Sequence, residues 1–352
     1  MAARALALRI GPCLLALSYP FRAEAAIDAR IFGHVDFGLE RDDAGNVRYA
    51  FQVPELDLFA TANGGRWSFL GEIDLEYLDT TLTVDLERVE VGYQFFDAFR
   101  VRAGRFHTAL GYYNDAYHHG DFFLVSTDRP LALQFEDEGG LFPSHAVGLH
   151  FDGRVGLGTA GKLRYDAELA NGRGMRPDEV TNVLDPNRAK AFNLRLRFEP
   201  AWPAGLLVGG QLYRDDIRLE EPESRQLVEW IGGGHLAYLE APLHFIAELA
   251  VIHHRDDAAA ATFQTLTGSV EAAYLVWGGL RPYLRYERVS APASPDPFFA
   301  SGRLARLGSF HAVTLGLNWS GENVALKLEG QRVFSDQGGN FDSLTTQCAF
   351  GF

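Results

Sequence analysis

From Ile31 onward the chain alternates apolar and polar residues with a period of two, the repeat of an extended strand whose two faces meet different surroundings. Ile31, Gly33, Val35, Phe37 and Leu39 share a face opposite Phe32, His34, Asp36 and Glu40. Trp67, Phe69, Ile73, Leu75 and Tyr77 oppose Ser68, Glu72, Asp74 and Glu76, and Val89, Val91, Tyr93 and Phe95 oppose Arg88, Glu90 and Gln94. The pattern returns with Tyr165, Ala167 and Leu169 against Arg164, Asp166 and Glu168, and with Phe192, Leu194, Leu196 and Phe198 against Asn193, Arg195 and Arg197. It recurs once more where Val324, Leu326 and Leu328 oppose Lys327, Glu329 and Gln331. Charges of both signs occupy one face of strand after strand, which a dry sandwich core would not accept. The apolar face must meet something greasy and the charged face something wet.

The connections alternate in length. Tight turns fall near Asn63-Gly64-Gly65, Phe96-Asp97-Ala98, Trp202-Pro203-Ala204, Glu240-Ala241-Pro242, Trp277-Gly278-Gly279 and Ser320-Gly321-Glu322, with a glycine-rich one between Asp152 and Gly161. Between them lie longer polar stretches: Arg41 to Asn46, Thr108 to Gly139, Asn171 to Ala189, Asp215 to Gln226, Arg255 to Thr262, Ala291 to Gly308 and Ser335 to Ser343. One connection departs from the rule, since the second long-side loop spans only Asp79 to Thr81. Short turns on one side and long loops on the other describe an all-β transmembrane antiparallel β-barrel of about sixteen strands, with fourteen to eighteen compatible with the boundaries. Pro54 and Gly232-Gly233-Gly234 suit bulges or bends on curved strands. Trp67, Phe95, Trp202, Trp230, Trp277 and Trp319 lie near strand ends, where aromatic girdles form.

The two ends agree with this reading. Arg4 and Arg9, the apolar stretch from Ile10 to Phe21, and Ala23-Glu24-Ala25 make residues 1–25 an export signal and residues 26–352 the barrel. Losing that segment removes three arginines and one glutamate and moves the net charge from −14 to about −16. An acidic chain of this kind argues against nucleic acid as a partner. Cys348 is the one cysteine left after cleavage, which excludes a disulfide framework, and no run of about 18 apolar residues follows the signal to make a helical span. At the other end Leu344, Thr346, Cys348, Phe350 and Phe352 share the apolar face of a final strand. A last strand closed by Phe350 and Phe352 resembles the signal that the bacterial outer-membrane assembly machinery reads. Outer-membrane lipid and lipopolysaccharide are then the surroundings, and the final strand must pair with Ile31 to Leu39 to remove both edges.

A barrel of this size leaves an aqueous channel unless a loop narrows it. The segment from Arg102 to Asp121 carries the densest chemistry: Arg102, Arg105, His107, Tyr112, Tyr113, Asp115, Tyr117, His118, His119 and Asp121. Its Arg102-Ala-Gly-Arg-Phe106 strand end and following Gly-aromatic loop resemble a family of porin-like outer-membrane proteins, distantly similar to the phosphate- and polyphosphate-selective porins. The resemblance extends to Asp128-Arg129-Pro130, Leu141-Phe-Pro-Ser-His145-Ala-Val-Gly148 and Glu168-Leu-Ala-Asn-Gly-Arg-Gly174, and is best between Arg100 and Gly174. It implies a third loop, near 108–139, folded into the lumen of a porin that passes small hydrophilic solutes or ions. Tyr112, Tyr113, Asp115, Tyr117, His118 and His119 would then line a constriction opposed by Arg88, Arg100, Arg102, Arg195 and Arg197 from the wall. Arginine forks suit carboxylate or phosphate and suggest a preference for anions. The sequence departs from the phosphate-selective relatives in having only Lys162, Lys190 and Lys327. The same residues could instead knit the loop to the wall with ion pairs.

Other chemistries are weaker. His118 and His119 with Asp115 and Asp121 offer metal-binding side chains, but adjacent histidines on a strand point to opposite faces, so no metal is expected there. Asp215-Asp216 and His253-His254-Arg255-Asp256-Asp257 end nearby strands and loosely resemble the outer-membrane aspartyl-type proteases; a rim hydrolase using general-base catalysis is the alternative function. Ser144-His145 are a nucleophile and base by type, yet sequence neighbours seldom make such a pair in space. No phosphate-cradling glycine loop or other cofactor motif is present. A homotrimer suits general porins of this length.

Overall fold

The computed structural model describes residues 26–352 except 54, 79–80, 119–120, 135–139, 177–184, 186–188, 221–224 and 302, so the export-signal segment, Pro54, Asp79 and His119 lie outside the described residues. The chain forms β1 (Ala26–Asp42), β2 in two segments (Val47–Gln52 and Glu55–Gly64), β3 (Trp67–Leu78), β4 (Thr81–Phe96) and β5 (Phe99–His107). A long loop with one helical turn, α1 (Tyr113–Ala116), leads to β6 (His145–Gly156), β7 (Gly161–Asn171), β8 (Lys190–Pro200), β9 (Leu206–Arg218) and β10 (Gln226–Tyr238). Then come β11 (Leu243–Asp256), β12 (Ala261–Tyr274), β13 (Leu280–Ser290), α2 (Arg303–Leu307), β14 (Phe310–Ser320), β15 (Val324–Ser335) and β16 (Phe341–Gly351). Both segments of β2 pair with β1, so they count as one wall strand and the sheet is a closed antiparallel barrel of sixteen strands.

Closure takes place where the terminal pattern requires it. β1 and β16 run antiparallel from Phe32 opposite Gly351 to Asp42 opposite Phe341. The amide of Ile31 donates to the carbonyl of Phe352 at 3.0 Å, and the amide of Phe352 returns a bond of 2.9 Å. No helix among the described residues is long and apolar enough to cross a membrane. The wall strands satisfy one another instead, which is how a sheet can stand in hydrocarbon.

The polarity is inside out. Ile73, Val91, Leu194, Leu196, Leu284, Leu315, Leu326 and Leu328 face outward and are exposed, whereas Glu72, Asp74, Glu90, Asp166, Arg195, Glu271, Arg285, Lys327 and Glu329 are buried toward the lumen. Trp67, Phe95, Trp202, Trp230, Trp277 and Trp319 all project from the outer face, Trp67, Phe95, Trp202, Trp277 and Trp319 beside short turns and Trp230 toward the loop end. In β4 the alternation changes phase partway. Glu72 stands opposite Arg88 but Asp74 opposite Asp85, so β4 carries one extra residue there. Before this bulge the outward residues are Leu82, Val84 and Leu86; after it they are Val91 and Phe95. The bulge sends both Glu87 and Arg88 inward, where strict alternation would allow one.

Gly104 on β5 packs against the next bend of β4. Its φ is +143°, and a Cβ there would lie 1.8 Å from the Val89 carbonyl oxygen. Replacing Gly104 with valine should cost more than about 2 kcal/mol through backbone displacement. Semi-native electrophoresis of refolded protein should show a much smaller fraction of the compact, heat-modifiable species; a normal fraction would contradict this packing.

Candidate functional site

The third loop leaves the wall at His107, crosses the lumen and returns at His145. Its first contacts are with carboxylate and amide side chains of β7, β8 and β11. The Ala109 amide donates to Glu168 at 2.8 Å, and Asn193 donates to the Ala109 carbonyl at 3.0 Å. The Tyr112 and Tyr113 amides, which open the single turn of α1, donate to Glu248 on β11. Negative charge at the start of a helical turn satisfies amides that have no partner within it. Gly111 makes the approach possible: its φ is +73°, and a Cβ would lie 2.4 Å from Glu248 Oε1.

Further along, the loop is held by its own carbonyls. Lys327 donates to Ser126 at 2.7 Å, Gln347 to Thr127 at 2.9 Å, Arg285 to Asp128 at 2.7 Å and Asn318 to Val125 at 3.1 Å. Glu329 completes the anchor by accepting from the Thr127 amide and hydroxyl at 3.1 and 2.9 Å. Lys327 is therefore a loop tether. Loop 108–139 reaches from β7 and β8 across to β14, β15 and β16.

The residues expected at a constriction divide into three groups. Asp115 meets Arg195 at 2.7 Å and Arg197 at 3.0 Å, and both arginines also bind Asp166. Burial opposes the charge on Asp115, but Arg195 and then Arg197 outweigh it and hold the carboxyl below the usual carboxylate range. Tyr112 and Tyr117 are half-buried with Asp115, their ring centroids 5.9 Å apart. Tyr113 departs from the expectation, being fully buried in a cluster with Leu124, Ala237 and Ile246. His118 is mostly buried beside His107 and His145 and borders the open space on the other side of the loop. The remaining arginines bind the wall and not the loop. Arg88 pairs with Glu72, Arg100 with Asp152 at 2.9 Å, and Arg102 with Glu90 at 2.7 Å and Asp152 at 3.0 Å.

The rim groups do not assemble into a general-base pair. Asp216 binds Arg214 at 2.8 Å, on the strand face opposite Asp215. His254 is fully buried between Glu229 at 3.0 Å and Asp296 at 2.7 Å, with Phe298 and Phe299 against its ring. Arg173 joins the same knot through Glu229 at 3.0 Å and stacks over Phe298. Phe298 and Phe299 come from the long loop after β13, which folds inward with Leu304 and Leu307 onto Leu110, Leu131, Tyr213, Ile217 and Ile231. Their apolar character in a loop is a signal that strand-by-strand reading passes over. Ser144 contributes its carbonyl to Asn114 at 3.2 Å, and His145 turns to Glu87.

With one half of the lumen packed, an open space of about 480 Å³ lies between the loop and β1–β4, β15 and β16. Asp36, Glu40, Glu55, Asp74, Glu76, Asp85, Glu87, Asp128 and Glu329 border it, against one guanidinium, Arg129. Among the described residues, nine carboxyl groups and the imidazoles of His34, His118 and His145 face one arginine, a balance that makes this gap electronegative.

No protein-family model and no curated protein matches the sequence. The fold has well-matched counterparts among solved structures. An anion-selective porin from Comamonas acidovorans is 14% identical with a TM-score of 0.60, covering 94% of this chain and 100% of that one. The outer membrane channel DcaP of Acinetobacter baumannii is 11% identical with a TM-score of 0.59, covering 93% and 97%. OmpF of Salmonella typhi, solved in complex with daunomycin, is 11% identical with a TM-score of 0.62, also covering 93% and 97%. At these identities the likeness establishes the shared barrel fold.

Replacing Asp115 with alanine leaves Arg195 and Arg197 to share Asp166 and should cost about 1–3 kcal/mol, between the limits for surface and buried pairs. The compact band should be lost at a lower temperature, and protease should cut within 108–139 faster. Unchanged cleavage would show that this ion network does not anchor the loop.

Proposed function

We propose that the chain is an outer-membrane porin: a water-filled barrel that lets small hydrophilic solutes and ions diffuse passively, narrowed by its third loop. The observation that carries this reading is the polar gap of about 480 Å³ beside a loop pinned across the lumen. The barrel fold shared with known channels supports it. Residues 1–25 act as the export signal, Phe350 and Phe352 are read during assembly, and the working partners are outer-membrane lipid, lipopolysaccharide and permeating solutes, with a homotrimer as the assembly.

The charge preference we propose is for cations. The arginines that suggest anion preference in the sequence are engaged: Arg195 is almost fully buried between Asp115 and Asp166, Arg197 shares the same two carboxylates, and Arg88, Arg100 and Arg102 pair with Glu72, Asp152 and Glu90. The open side is bordered by carboxylates, and fixed charge in a low-dielectric passage concentrates counter-ions. Rim hydrolysis has no supporting geometry, since His254 is sealed from solvent.

In planar bilayers under a KCl gradient, reversal potentials should favour potassium over chloride by at least about threefold. The triple variant Glu55→Gln, Glu76→Gln, Asp85→Asn should bring the ratio toward unity. Chloride preference would overturn the charge reading, and absence of conductance would overturn the porin. Separately, deleting Phe352 should lower the amount of heat-modifiable barrel in outer membranes several-fold while leaving the conductance of assembled channels unchanged; normal assembly would count against the terminal signal.

A further inference from the structure

We propose that Glu87, His107, His118 and His145 bind one divalent transition-metal ion of the zinc class, and that this ion clasps the third loop to the barrel wall. One oxygen of Glu87 and one ring nitrogen from each histidine lie within 4.8 Å of one another, and all four residues are buried. The ring centroids are 4.2 Å apart for His107 and His118, 4.6 Å for His118 and His145, and 5.2 Å for His107 and His145.

The fold brings them together from four places. His107 ends β5 and His145 begins β6; they are direct partners across the ladder, so both rings enter the lumen side by side. Glu87 is turned inward beside the β4 bulge and contacts His145. His118 follows α1 and is the loop's contribution. The set spans the point where the loop leaves the wall and the point where it returns.

Three imidazoles and a carboxylate are a donor set that suits zinc, and also cobalt, nickel or copper. Donors of a tetrahedral site with bonds of about 2.1 Å stand about 3.4 Å apart, so the four donors must close by at most about 1.4 Å to hold one ion. Three histidines this close cannot all be protonated without mutual repulsion, whereas one cation at their centre is shared by all. Glu72, itself paired with Arg88, lies 3.9 Å from His107 Nε2. Asn114 Oδ1 stands 3.1 Å from His118 Nδ1 and can accept a hydrogen bond from its N–H, leaving Nε2 for the ion. Asn114 is itself fixed by the Thr108 carbonyl at 2.8 Å, so the ring orientation is prepared by a second layer of bonds. The Arg129 guanidinium, 2.6 Å from the same Nδ1, must swing toward the gap when the ion enters. This site is distinct from a grouping of His118 with Asp115, because Asp115 is held by Arg195 and Arg197.

The site is independent of whether the barrel conducts, because metal content reads it directly. Full-length protein refolded in detergent, stripped with chelator and dialysed against ZnCl2, should retain one zinc per chain by elemental analysis. Cobalt chloride should give the visible absorption of a four-coordinate site and be displaced by zinc. His107→Ala and His145→Ala should each weaken zinc binding at least about a hundredfold, while His311→Ala on the outer surface should not. Glu87→Gln keeps the side-chain shape and serves as the second variant should a histidine variant lose the compact, heat-modifiable form. Zinc should also slow protease cleavage within 108–139 in the parent protein. Substoichiometric zinc, or binding unaffected in folded His107→Ala, His145→Ala and Glu87→Gln variants, overturns the proposal.

Discussion

Every backbone amide and carbonyl that crosses hydrocarbon must find its partner inside the protein, and this sheet meets the demand by closing on itself. The pairing of β1 with β16 removes both edges, and the bonds between Ile31 and Phe352 finish the ring. Closure then dictates where side chains go. The leucine, valine, isoleucine and aromatic faces that would form a core in a soluble sheet become the outer band, and the charged faces are forced around a shared interior. The burial of Glu72, Asp166, Arg195, Glu271, Arg285 and Lys327 is a consequence of geometry before it is a matter of stability.

The interior is not uniform. From β7 to β14 it is filled by an apolar cluster from two inward-folded loops and by paired charges, while from β15 through β4 it stays open and acidic. The division follows from how the third loop is held. Its early amides donate to carboxylates on β7 and β11, and its later carbonyls accept from lysine, arginine, glutamine and asparagine on β13 to β16. A loop with only short helical turns thereby has many of its remaining backbone groups satisfied by wall side chains, the requirement any buried irregular segment must meet. Arginine serves inside this frame as a neutralising strut, and the charge left facing the gap is carboxylate.

The histidine and glutamate cluster sits at the hinge of that arrangement. Both ends of the loop and its first helical turn converge there, so whatever occupies the space between His107, His118 and His145 influences how firmly the loop lies across the lumen. The bulge in β4 is what brings Glu87 into reach, and it also turns Arg88 inward to Glu72. A single inserted residue thus shapes both the wall charge and the cluster.

The sequence by itself determined the wall. Period-two alternation is a local property, so Leu194 and Leu196 outside, Arg195 and Arg197 inside, the alternating turn lengths, the pairing of the last strand with Ile31 to Leu39 and a long third loop could all be read along the chain. Alternation names a face; it carries no information about depth, azimuth or partner. Only the tertiary structure decided that Arg195 and Arg197 meet Asp115 and Asp166 and not the open gap, that Tyr113 turns into a packed cluster, and that Phe298 and Phe299 fold inward from their loop. The phase change in β4 and the meeting of Glu87, His107, His118 and His145 belong to the same class, because both depend on register between strands and on the path of a loop, quantities set by many long-range contacts at once.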